Sequence, residues 1–171
     1  MTPGPDFEGR CRFPAIAIYH DHDLSIWEVL EGLVVCGKSD LNAGSRGRFA
    51  RATIVDSESM AWEMDGATKL HGVGPFWGYN LLLNQTIRVR PNIVAPPKPA
   101  ELETIKSEVA KCLRRRDAVT LVLKEFCTTI ERAEARRTVP LIEAASSVRE
   151  IIGKLLAMGF PERASLQPLT S

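Results

Sequence analysis

The chain has 171 residues, 44% of them apolar and 25% charged, with a formal net charge of +1. These fractions describe an ordinary folded domain with room for one well-buried core, and they exclude disordered and collagen-like classes. No apolar run approaches the roughly 20 residues that cross a bilayer. A balance of 22 basic against 21 acidic side chains gives no field to gather nucleic acid.

In chain order, MTPGPDFEGR lacks an apolar signal core, so residues 1–12 read as a loose tail and the location as cytoplasmic. Cys11, Cys36, Cys112 and Cys127 lie far apart with no C-x-x-C pair, which predicts neither a disulfide framework nor a metal cluster. Residues 13–94 read as β. Ala15-Ile16-Ala17-Ile18-Tyr19 alternates small with large side chains, and Leu24 to Val29 alternates in register. Phe49 to Val55 and Met60 to Met64, joined by Asp56-Ser57-Glu58-Ser59, form a predicted hairpin. Tyr79 to Leu83 and Thr86 to Val89 form a second, around Asn84-Gln85. The Gly- and Ser-rich stretch from Gly37 to Gly47 reads as an exposed loop.

The prolines at 96, 97 and 99 predict a hinge over residues 95–99 that neither strand nor helix crosses. Charge divides there too, with a net of −2 over 1–97 and +3 over 98–171. Residues 100–159 read as helical. A stripe of Leu102, Ile105, Val109, Cys112 and Leu113 is followed by a second that Asp117 can cap, running from Val119 to Ile130. Thr138 and Pro140 open a short third piece. Ser147 and Glu150 have capping-box spacing, and Gly159 is a predicted stop. Residues 161–171 read as a tail. Each helical stripe is one-sided, so the expected fold is α+β: an N-terminal antiparallel β-sheet with C-terminal helices packed on one face, in a single domain over 13–160.

Two stretches carry candidate chemistry. In His20-Asp21-His22-Asp23, strand alternation puts His20 and His22 on one face, where they could share a metal, although a zinc centre needs further ligands. A polar strand end is the preferred reading. Gly72 to Asn80 holds three glycines and three aromatics in nine residues, without the spacing of a phosphate loop. Its aromatics either seal the sheet or form a binding surface, since Trp and Tyr are frequent interface anchors. The basic runs Arg114-Arg115-Arg116 and Arg136-Arg137 read as helix ends, where cations meet the negative pole of the helix. Neither a nucleophile elbow nor an acid–base pair can be assembled from spacing.

Asp23-Leu24-Ser25-Ile26-Trp27-Glu28, Ile54-Val55-Asp56-Ser57, Phe76-Trp77-Gly78-Tyr79-Asn80 and Ile87-Arg88-Val89 are followed by Ser147-Val148-Arg149-Glu150-Ile151-Ile152. This order resembles that of small bacterial α+β proteins of the polymorphic-toxin immunity type, over most of residues 15–158. The resemblance implies a cytoplasmic protein that binds and blocks a partner protein, and it carries over no functional residue. The expected function is therefore non-enzymatic protein binding, with a toxin as the implied partner and no cofactor, nucleic acid or membrane involved. Phe76, Trp77 and Tyr79, with Trp27 and Trp62, are the expected contact residues. The alternative is a small-molecule-binding or metal-dependent hydrolase-like domain with a pocket between sheet and helices and a metal at His20 and His22.

Overall fold

A computed structural model describes residues 6–20, 24–38, 49–74, 85–122 and 130–158. Its elements in chain order are α1 (Phe7–Arg10), β1 (Ala15–Tyr19), β2 (Leu24–Trp27), α2 (Leu30–Val34), β3 (Val35–Gly37), β4 (Ala52–Val55), β5 (Met60–Gly72), β6 (Thr86–Ile93) and β7 (Lys98–Pro99). Three helices follow: α3 (Leu102–Val122), α4 (Ile130–Glu143) and α5 (Val148–Ala157). The fold is α+β, with an antiparallel sheet and mostly C-terminal helices. None of the described helices is long and apolar enough to cross a membrane.

The sheet order is β2-β1-β4-β5-β6-β3, with β7 added on β5. The two outer strands are nearly consecutive in sequence. Only residues 28 and 29 separate β2 from α2, and β3 follows α2 directly. Three extended steps and a five-residue helix span about 17 Å. Six strands laid flat would set their outer members about 24 Å apart. The chain is too short for that, so the sheet curls and α2 bridges its two edges.

Curling gives the sheet two covered faces. On the convex side Ile16, Ile18, Leu24, Ile26, Val55 and Ala61 pack with Ile105, Val109, Leu113, Ile142, Ile151 and Leu155 of the helices. The concave side is filled by Tyr19, Trp27, Ile54, Trp62, Met64, Ile87 and Val89, together with Phe7 of α1 and Leu33 and Val34 of α2. The small–large alternation of β1 follows this division. Ala15 lies opposite Trp27 in the register, so a small side chain on the concave face meets a large one.

Several expectations change. The tail over residues 1–12 is not loose where it is described: Asp6 accepts a hydrogen bond from the Gly9 amide at 3.1 Å, capping α1. The Phe7 ring is buried and meets the Trp62 ring edge-on at 5.3 Å. The strand starting at Met60 does not stop at Met64. Gly66 takes a φ of +85° at a bulge opposite β6, where two residues stand against one, and the strand resumes at Ala67. Within the proline hinge, Lys98 and Pro99 pair with Ala61 and Met60, since a two-residue edge strand tolerates a proline.

The helices also run further than expected. Asp117 lies inside α3, so it caps no new helix, and Pro140 lies inside α4. Proline costs α4 one backbone hydrogen bond, but the neighbouring Val139 and Ile142 are buried in the helical core and hold the turn in place. The cap at Ser147 forms, with its hydroxyl accepting from the Glu150 amide at 3.2 Å. The reciprocal bond is displaced by one residue, because the Glu150 carboxylate accepts from Ser146. The Gly37–Gly47 loop beyond Lys38, the Tyr79–Leu83 strand and Gly159 lie outside the described residues.

Candidate interaction surface

Three groupings of polar side chains stand out, and two of them serve the fold. Asp56, at the end of β4, is 1% exposed. One carboxylate oxygen accepts from the Glu58 and Met60 amides at 3.0 and 2.8 Å, which closes the β4–β5 turn. The other accepts from the Arg12 amide at 3.3 Å and from the Trp62 indole at 3.2 Å. One side chain therefore ties the turn, the N-terminal segment and the concave core together. Cys11, beside it, has its thiol pushed up to about 12, first by burial and then by the Asp56 charge.

The second grouping joins α1, α2 and β6. The Arg88 guanidinium donates to both carboxylate oxygens of Glu31, at 2.9 and 2.7 Å, and reaches Glu8 at 3.4 Å. These contacts raise the guanidinium pKa further, chiefly through the Glu31 hydrogen bond. A planar fork facing two carboxylates from separate helices makes a clasp at the seam of the curled sheet.

The third grouping faces outward. Along β5 four consecutive residues, Thr68, Lys69, Leu70 and His71, are exposed, with Leu70 at 40%. Met64 pairs with both Ala52 of β4 and Ile93 of β6, so these two strands lie on opposite edges of β5. On the β6 edge pairing continues to Gly72. On the β4 edge it ends at Met64, followed by one bond from the Gly66 amide to the Phe49 carbonyl at 2.7 Å. From Ala67 to Gly72, no described strand occupies that side. Lys69 donates to Gln85 at 3.3 Å, and Thr68 to Asn92 at 2.9 Å. Among the described residues, His71 and Arg90 hold no ion pair.

The expected contact residues are not brought together. Trp27 and Trp62 are each 1% exposed and belong to the concave core, so neither presents a surface. This corrects their assignment as contact residues: strand alternation shows which face a residue takes, and here the curl covers that face. Phe76, Trp77 and Tyr79 lie outside the described residues, between the end of β5 and the start of β6. His20 is exposed at the end of β1, and His22 lies outside the described residues. Among the described residues no three His, Cys, Asp or Glu side chains gather as metal ligands. The layer between sheet and helices, where the alternative reading puts a pocket, is filled by buried apolar side chains and the Cys112 thiol.

The exposed run on β5 escaped the sequence because Asp65-Gly66 reads as a turn. Ala67-Thr68-Lys69-Leu70-His71 carries no period-two alternation that would extend the strand past that glycine. Comparisons of the chain with protein-family models, with curated proteins and with solved structures give no match.

Proposed function

We propose that this chain is a non-enzymatic protein that works by binding another protein, in the manner of an immunity protein that neutralises a toxin in the bacterial cytoplasm. The exposed run Thr68–His71 carries this reading. Paired to β6 on one side, it offers side chains from both faces of a strand at little ordering cost on binding. The chain leads from this strand into the segment that contains Phe76, Trp77 and Tyr79, residue types that commonly anchor interfaces. The two buried or clasped polar clusters, around Asp56 and Arg88, are engaged in joining elements of the fold.

The test uses the full chain immobilised as bait, both for proteins of its host and for the product of the adjacent reading frame. A partner held by the wild type and lost from Trp77→Ala/Tyr79→Ala, with an unchanged circular dichroism spectrum, is the expected result. Truncating an interface anchor costs at least about 2 kcal/mol, or roughly a thirtyfold weaker Kd. A folded variant that keeps its partner removes the aromatic segment from the interface, and a bait that holds no protein overturns the reading.

A further inference from the structure

We infer that the edge of β5 from Ala67 to Gly72, which no described strand covers, accepts an extended, acidic segment of the partner protein as an added strand. This deepens the protein-binding reading and rests on it. An uncovered strand edge leaves a row of backbone N–H and C=O groups that another extended chain can satisfy, and natural proteins usually cover, shorten or break such edges. Both outer strands follow that rule, being four and three residues long. Among the described residues the stretch of β5 without a neighbour on that side is six residues long and contains no proline; it carries an exposed Leu70 at its centre, where a one-residue bulge against β6 sits between Lys69 and His71.

The charges around the edge select the occupant. Arg90 lies directly across from Thr68, one strand in from the edge, and holds no ion pair among the described residues. Lys69 lies on the opposite face, across from Val89, and is exposed with only the neutral Gln85 as partner. His71 adds a third basic group. Arg88 is already held by Glu31 and Glu8, so it contributes little outward charge. The acid on this half of β5, Asp65, lies before that stretch, next to the residue where β4 pairing ends. Both faces of the edge are thus basic, and an incoming strand with carboxylates on both of its faces complements them. A second copy of this chain fits less well. Antiparallel pairing centred on Leu70 would set Lys69 of each copy against His71 of the other, so neither ammonium would meet a carboxylate across the new ladder.

The test titrates the full chain with the peptide Thr-Val-Glu-Glu-Val-Glu-Glu-Thr and follows backbone amides by heteronuclear NMR. Two controls replace Glu by Lys throughout, or methylate alternate peptide nitrogens. Binding of the acidic peptide should shift the Ala67–Gly72 amides and slow their exchange. Lys69→Glu/Arg90→Glu should weaken binding by about tenfold, as expected for two partly screened charge contacts. Neither control peptide should bind. Equal binding of the lysine peptide overturns the charge selection, and equal binding of the methylated peptide overturns strand addition. Protection of Ala67–Gly72 that grows with protein concentration, without peptide, assigns the edge to a second copy and also overturns the proposal. The partner-capture assay separates this inference from the reading beneath it. A partner retained equally by Lys69→Glu/Arg90→Glu leaves protein binding standing and removes this edge.

Discussion

Asp56 concentrates more of the fold than any other described side chain. Its two oxygens meet four N–H donors, three from backbone and one from the Trp62 indole, while the side chain itself is buried. Replacing it by alanine leaves those donors without an acceptor, each at a cost of about 1–3 kcal/mol when buried. Three of these bonds are only part-buried, so water can partly replace the lost acceptor, and Asp56→Ala should lower stability by about 3–4 kcal/mol, read from urea denaturation midpoints. Asp56→Asn keeps the acceptor that closes the turn but turns an NH2 toward the indole and Arg12 donors, so its loss should fall between alanine and wild type. Equal stability of all three proteins would show that the carboxylate is incidental. The neighbouring Cys11 gives an independent reading of the same site. With its thiol pushed up to about 12, only about one molecule in ten thousand is thiolate at pH 8, and burial shields even that fraction. Alkylation of Cys11 at pH 8 should accordingly follow the unfolding rate, as peptide mapping by mass spectrometry would show. Rapid labelling of the native protein would contradict its burial.

Short elements were legible where their signals are local, and α5 is the clearest example. Ser147 and Glu150 lie within one turn at the head of the apolar stripe, and the cap forms between them. The same locality makes the cap's pH dependence predictable. Glu150 is lowered to about 2, first by its bond to Lys154 and then by those from Ser146. A carboxyl with a depressed folded pKa stabilises fully above its unfolded value near 4.5 and loses that contribution as pH falls toward 2. The stability difference between wild type and Glu150→Gln should thus be flat above about pH 5 and shrink toward pH 2. A difference that grows on acidification would reverse the assignment. Longer-range elements were not legible. Asp117 and Pro140 both carry boundary signals, yet α3 and α4 run through them. In α4 the buried Val139 and Ile142 outweigh the bond that Pro140 removes. Trp27 and Trp62 were misread as surface residues, although both are buried in the concave core. Period two tells one face from the other, and only the curl and α1 decide that the face is covered. Likewise α1 shows its cap in Asp6, whereas the seat of Phe7 against Trp62 lies 55 positions further along the chain.

At the scale of the molecule, one sheet separates two cores, and neighbouring residues of one strand belong to different ones. Ile16 and Ile18 enter the helical core, whereas Ala15, Ala17 and Tyr19 enter the concave core. β2, β4 and β5 are divided in the same way, so neither core can loosen without moving strands that the other needs. The Arg88 clasp and α2 add a covalent and ionic seam across the sheet edges. Two cores sharing a backbone should unfold as one unit, despite the change in composition near residue 96. Leu33→Ala on the concave side and Ile151→Ala on the helical side remove side chains with no exposure. Each should cost about 2–5 kcal/mol. The test follows urea unfolding in a Trp77→Phe background, where fluorescence reports on Trp27 and Trp62 in the concave core and far-ultraviolet circular dichroism reports mainly on the helices. Both signals should move together in both variants, since a cavity on either face destabilises the shared strands. If Leu33→Ala shifted the fluorescence transition and left the helical one in place, the sheet would be joining two independently stable halves, and the proline segment at 95–99 would be a true domain boundary.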